Sequence, residues 1–233
     1  MELPWLKNLA DDWLAREERG RKPHAVLLEG PAGVGKRCAA AWMAGRHLAI
    51  GAAPLLPWHP AAPPQHADFR WLRPADDKQA IGIEAVRELV ADLALTSYAG
   101  GGKAAVIEPA DAMTVNAANS LLKTLEEPPG DALLILVSDR AGRLPATIVS
   151  RCQRIAIGLP PASASLEWLD RVERSAHWAV ALREAGYAPL AALKAVLRLE
   201  ETAAMAREFA GLPARASSPI ETAARWSKHD AQF

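Results

Sequence analysis

Cysteine is nearly absent from this 233-residue sequence, with only Cys38 and Cys152 present. Two thiols so far apart form no disulfide framework, and their scarcity implies a reducing compartment, so a cytoplasmic location is expected. Net charge is missing as well. Lys plus Arg balance Asp plus Glu at 27 each, so no global field steers the chain toward nucleic acid or an anionic membrane. No apolar run approaches the roughly 20 residues a membrane span needs, and no membrane partner is expected. Residues 1–13 carry acids and two Trp without a long apolar core, so they do not read as a signal peptide. The six His are scattered, and neither a His-Glu-x-x-His nor a Gly-x-Ser-x-Gly spacing occurs. Chemistry built on those two motifs is therefore excluded.

What remains is ordinary for a globular protein: half of the residues are apolar and 23% are charged. The length suffices for one large domain or two small ones with a real core. Residues 30–37 read Gly-Pro-Ala-Gly-Val-Gly-Lys-Arg, a phosphate-binding loop complete except for its last position. Glycines in such a loop let backbone N–H groups cradle phosphates, the Lys reaches the β- and γ-phosphates, and a final Ser or Thr holds Mg²⁺. Gly30, Gly33, Gly35 and Lys36 are in place, but Arg37 stands where the hydroxyl belongs. A guanidinium has only donors and cannot ligate a cation. The loop alone leaves two readings open. It is either a relic that packs strand to helix, or a weak ATP or ADP site without turnover.

Periodicity predicts a helix over 3–18, a strand over 24–29 ending at the glycine loop, and a helix over 36–50. Residues 51–66 hold five Pro and read as a surface excursion. Strands are expected over 68–72, 103–108, 132–137 and 153–157, with helices over 83–95, 114–126 and 143–149 between them. The continuous apolar run at 132–137 suits a strand buried on both faces of a parallel sheet. Alternating strands and helices imply an α/β fold with a parallel sheet flanked by helices, whose ligand crevice lies at the carboxyl ends of the strands. After Pro160-Pro161 only helices are expected, over 165–175, 178–185, 189–199 and 201–211. The organisation predicted is thus a P-loop core over 1–160, a small all-helical lid over 161–212, and a tail over 213–233.

Four segments together carry a family resemblance: the glycine loop, Val106-Ile107-Glu108-Pro109, the run Leu121-Leu122-Lys123-Thr124-Leu125-Glu126-Glu127-Pro128-Pro129, and Ser150-Arg151-Cys152. On these residues the chain resembles AAA+ clamp-loader subunits over about residues 3–210. The resemblance implies an AAA+ core with a helical lid, and a tail that begins the family's collar domain. In active relatives the strand ending at Ile107 leads into Asp-Glu, which hold Mg²⁺ and activate water; the matching residues here are Glu108 and Pro109. Proline has no titratable group and cannot serve as a general base. With Arg37, two catalytic positions are lost, which argues against hydrolysis by this chain. The Ser-Arg-Cys element looks like the family's trans-acting arginine finger, with Arg151 acting on a neighbour's ATP. Such fingers contribute roughly 10³–10⁵ in rate in GTPase systems.

The resemblance further implies that the chain is a non-hydrolysing part of a replicative DNA polymerase holoenzyme. Its expected partners are motor and delta-type loader subunits, with the sliding clamp and primed DNA reached through the assembled complex. No cofactor is required for that role. The competing reading is an ATP-hydrolysing AAA+ motor subunit or another P-loop ATPase. A P-loop kinase is disfavoured because no acceptor pocket or lid arginines can be named.

Single features have plainer readings. A lone Ser-Arg-Cys is by default a solvated Arg beside a small buried thiol. Glu126 and Glu127 point about 100° apart on a helix and do not converge on one substrate. Most of the Trp fit core or interface packing. Lys78, Arg87 and Lys103 either approach duplex phosphate in an assembled ring or form a solvated face. Family members often carry a four-cysteine zinc module after the first helix of the core. Here 51–66 has no Cys, and His59 with His66 are too few for a tetrahedral site. Metal analysis of the purified protein is therefore expected to find no stoichiometric zinc; a 1:1 zinc content would contradict the reading.

Overall fold

The computed structural model describes residues 1–50 and 54–211, so the expected 213–233 tail lies outside the described residues. The chain divides into two units, one over Met1–Pro160 and one that begins at Pro161. In the first, five strands form one parallel sheet: β1 (Ala25–Glu29), β2 (Phe69–Leu72), β3 (Lys103–Ile107), β4 (Ala132–Ser138) and β5 (Gln153–Ala156), in the order β2-β3-β4-β1-β5. Helix α1 (Lys7–Glu18) precedes β1, and helices fill the connections between strands: α2 (Lys36–His47), α3 (Ile83–Ala94), α4 (Val115–Glu126) and the single turn α5 (Ala146–Val149). The architecture agrees with the expected α/β fold.

Alternation along the strands sorts side chains to two faces. Ala25, Leu27, Ala105, Ile107, Leu134 and Leu136 share one cluster with Val86 and Leu89 of α3 and Leu121 and Leu125 of α4. The intervening residues, such as Val26, Val106 and Ile135, are fully buried on the other side. There α2 packs on β1, β3 and β4. Its Ala39, Ala40 and Ala44 are fully buried, so the helix sits close to the sheet. All seven residues of β4 are buried, as the continuous apolar run requires.

Helix starts follow local chemistry. Thr114 accepts a hydrogen bond at Oγ1 from Ala117 N (3.2 Å) and caps α4. The helix expected over 36–50 stops at His47, because Ala49 takes a left-handed φ of 52°. The Pro-rich segment does more than cover surface. Leu3 N donates to Pro57 O (3.0 Å) and His59 N to Met1 O (2.7 Å), joining it to the N-terminus.

The second unit is helical among its described residues: α6 (Ala162–Val172), α7 (Trp178–Glu184) and α8 (Pro189–Gly211) pack on one another around Trp168, Leu169, Trp178 and Leu182. The two helices expected over 189–199 and 201–211 are one. No Gly or Pro interrupts the sequence between Pro189 and Gly211, and nothing else there breaks the backbone pattern.

Asp68, 1% exposed, organises the turn between α3 and β3. It accepts from Ser97 Oγ (2.9 Å), Tyr98 N (2.9 Å) and Ala99 N (3.0 Å). Burial raises the carboxyl's pKa, but these donors and the Lys103 ammonium 3.9 Å away outweigh it, and the net shift is downward. A depressed carboxylate stabilises the fold above its unfolded value of about 3.9 and loses that contribution as pH falls through the folded value. Asp68→Asn is accordingly expected to lower the urea midpoint at neutral pH. The gap from the parent should close in acid below about pH 4. A gap independent of pH would rule out the ionised carboxylate as its source.

Candidate functional site

The carboxyl ends of four strands meet at one edge of the sheet. β1 leads into the glycine loop, β2 into Arg73, β3 into Glu108 and β4 into Asp139. The loop's shape depends on its glycines. Gly30 has a φ of 146°, and a Cβ there would lie 2.1 Å from the carbonyl oxygen of Ile157. Gly33 and Gly35 also have positive φ, at 80° and 100°. A Cβ on Gly35 would meet the Leu3 side chain at 2.8 Å, and Trp5 Nε1 donates to Val34 O (2.9 Å), so the N-terminal residues support the loop from beneath.

Lys36 is 4% exposed. Its Nζ donates to Gly30 O (2.7 Å) and Pro31 O and pairs with Asp139 Oδ1 (2.6 Å). Arg37 Nε lies 2.9 Å from Glu108 Oε1. The second carboxylate oxygen, Oε2, accepts from Trp71 Nε1 (3.0 Å) and Arg73 Nε (3.2 Å). Arg73 also stacks over the Trp71 ring, 4.7 Å from its centroid. Both oxygens of Glu108 are thus engaged by cationic or polar donors of the chain. Pro109 follows it on the same rim and offers no proton acceptor in its side chain. The structure brings Gly30, Gly33, Gly35, Lys36, Arg37, Glu108 and Pro109 together as one site. It adds Trp71, Arg73 and Asp139, which sequence reasoning missed. Their common signal is position: each lies at or just past the end of a strand in a parallel sheet, where ligand crevices form.

Ser150, Arg151 and Cys152 lie elsewhere, in the turn between α5 and edge strand β5, and Arg151 makes none of its hydrogen bonds to the loop. Arg151 Nε donates to Glu126 Oε1 (2.7 Å), Nη2 donates to the same oxygen, and Nη1 donates to Thr147 O (3.0 Å). Two segments that carried the resemblance separately are therefore in contact. Ser150 Oγ turns back to Thr147 O (3.2 Å). Cys152 packs against the core, and burial pushes its thiol up to about 11, so at neutral pH it is no nucleophile.

Of the cations considered for duplex contact, Lys78 and Arg87 are exposed. Lys103 is not: it is 4% exposed, and its Nζ donates to Asp92 O (2.6 Å) at the end of α3. Neither duplex contact nor a solvated face fits Lys103, because a helix-end carbonyl and Asp68 hold its charge in the interior. Among the described residues, no three of His, Cys, Asp and Glu converge as a metal site, and no helix is long and apolar enough to cross a membrane.

Residues 6–160 match the family described as DNA polymerase III, delta subunit. The chain is 44% identical over 174 residues to the DNA polymerase III subunit delta′ of Pseudomonas aeruginosa, covering 72% of this chain and 52% of that one. It is 32% identical over 200 residues to the Escherichia coli subunit of the same name, covering 82% of this chain and 59% of that one. The chain thus spans somewhat over half the length of these relatives. Among solved structures, a DNA polymerase III gamma-subunit-related protein from Thermotoga maritima superposes with a TM-score of 0.56 at 22% identity, over 84% of this chain and 57% of that one. That likeness speaks for the fold alone.

The Glu108 cluster sets an energetic expectation. Arg37 and Arg73 are 53% and 43% exposed, so water can re-solvate both once the carboxylate is removed. Glu108→Ala should therefore cost about 1 kcal/mol, not the 3–5 of a fully buried pair. Urea unfolding measures this, and a loss above about 3 kcal/mol would show that the guanidiniums stay desolvated.

Proposed function

The chain belongs to the DNA polymerase III delta′ family, and on that premise we propose that it is a clamp-loader subunit that hydrolyses no ATP and lends Arg151 to a neighbour's ATP site. The observation that carries the first half is the ion cluster at the strand ends. Hydrolysis needs a carboxylate free to hold Mg²⁺ and a base free to take a proton from water. Glu108 has both oxygens occupied, with the Arg37 guanidinium on one of them, and Pro109 supplies no base. Lys36 is held by two loop carbonyls and Asp139. These contacts favour an idle site that joins β1 to α2, and the role requires neither bound nucleotide nor zinc.

The second half rests on Arg151. It makes none of its hydrogen bonds to its own loop, and its guanidinium is about one-third exposed on a short turn. Phosphoryl transfer spreads negative charge over equatorial oxygens, and an arginine entering from an adjacent subunit neutralises it. In this scheme the partners are the motor and delta-type subunits of the loader, with the sliding clamp and primed DNA engaged through the assembly in the cytoplasm. DNA contact from this chain, through Arg87 or Lys78, would be to phosphate and independent of sequence.

The purified protein is expected to show no Mg²⁺-dependent ATP turnover, and measurable turnover would favour the motor-subunit reading instead. The trans role is tested in a reconstituted loader whose adjacent motor subunit is the only one competent to hydrolyse ATP. There Arg151→Ala should slow hydrolysis by roughly 10³-fold or more, as arginine-finger losses do. An unchanged rate would sink the proposal.

A further inference from the structure

An arginine that acts across an interface has to arrive already aimed. Its side chain is long, and a displacement of about 1 Å in a catalytic group can cost on the order of 100-fold in rate. The turn that carries Arg151 is slight, since α5 spans only Ala146–Val149 and β5 is an edge strand. The aim of the guanidinium must come from elsewhere.

It comes from α4. Glu126 is the last residue of that helix, and its Oε1 takes hydrogen bonds from both Nε and Nη2 of Arg151. The carboxylate stands on a fixed base. Leu125 beside it is 2% exposed in the core, and the Leu125 carbonyl accepts a hydrogen bond from His24 Nε2 (2.8 Å), just before β1. A carbonyl can only accept, so Nε2 carries the proton. Thr147 O holds Nη1 from the opposite side at 3.0 Å. A guanidinium has five N–H groups. The contacts to Glu126 and Thr147 take up three of them and leave one further N–H on each terminal nitrogen. Ser150 Oγ stands 3.4 Å from Nη1, a long contact that an incoming oxygen can displace.

We infer that Glu126 is a positioning residue that orients the Arg151 guanidinium for the neighbouring ATP site, an inference that rests on the trans role proposed above. Glu126 is about half exposed, and an exposed pair of this kind adds little to stability. Its contribution is to direction. Glu127 cannot substitute for it: the backbone leaves the helix there, at φ −129° and ψ 80°, and its side chain departs from that of Glu126.

The test uses the reconstituted loader with a single hydrolysing neighbour and five versions of this chain: parent, Glu126→Ala, Glu126→Gln, Arg151→Ala and the Glu126→Ala/Arg151→Ala double variant. Glu126→Ala should lower kcat about tenfold or more through misplacement. The KM for ATP should stay within about twofold, because an interaction made in the transition state is lost while ground-state binding is kept. In the Arg151→Ala background the same change should cost nothing further, since Glu126 acts only through the arginine. Glu126→Gln should recover part of the loss, because its amide oxygen can accept the same N–H groups. Thermal melting of the isolated variants should match the parent, which separates aim from folding. Multiplicative losses in the double variant, or a parent-like kcat for Glu126→Ala where Arg151→Ala is slow, would overturn the inference. If Arg151→Ala itself leaves the rate unchanged, the trans role fails and the positioning role falls with it.

Discussion

Burial of the central strands on both faces is the constraint from which the rest of the larger unit follows. Seven consecutive buried residues in β4 need helices above and below, and every strand beside it runs parallel. Parallel pairing forces each connection to cross back over the sheet, so all the strands end on the same edge. That edge is where the glycine loop, Arg73, Glu108 and Asp139 gather. Their proximity is a product of topology, and no local sequence feature puts them together. The same packing sets how close the backbone comes: at Gly30 the β1 end approaches the Ile157 carbonyl so closely that only hydrogen fits.

Electrostatics then give that edge its character. In a working phosphate loop the cationic groups are held in reserve for ligand and the carboxylate for metal. Here the charges are matched internally, Lys36 with Asp139 and Arg37 with Glu108. A guanidinium in the hydroxyl position does more than delete a ligand, because it brings a permanent cation to the carboxylate that a metal would need. The fold retains its phosphate-loop backbone while its side chains answer one another. At the surface turn Arg151 is paired as well, with the Glu126 carboxylate and the Thr147 carbonyl, but it stays about one-third exposed.

Much of this was legible in the sequence wherever the determinants were local. The strand, glycine loop and helix order, the misplaced Arg37 and the baseless Pro109 could be read from contiguous residues. The five helices and five strands of the larger unit followed from period and from Pro and Gly punctuation, apart from the ends of the helices expected over 36–50 and 143–149. What stayed hidden depends on register between distant strands. Arg73 joins Glu108 only because Leu72 pairs with Ile107 in β2 and β3, and Asp139 reaches Lys36 only because β4 lies beside β1. Glu126 and Arg151 are 25 residues apart and meet across a tertiary contact. Lys103 groups with Lys78 and Arg87 as a surface cation in the sequence, and its burial is not visible in its sequence neighbours. Its side chain folds back to cap a helix, a choice made by Asp68 and Asp92, which lie well away in sequence. The break expected in α8 is absent because no Gly or Pro interrupts that stretch.

The strand order carries a consequence for how the polypeptide is made. In this sheet β1 pairs only with β4 and β5, so after its synthesis it has no hydrogen-bonding neighbour there until residues beyond 131 have followed it. Its apolar Ala-Val-Leu-Leu sequence and backbone stay without their sheet partners through the synthesis of nearly half of the described chain. Non-local pairing of this sort folds slowly and leaves sticky intermediates. A nascent chain of this design depends on its early helices, and on any holding factor at the exit tunnel, to keep that strand single until its partners arrive.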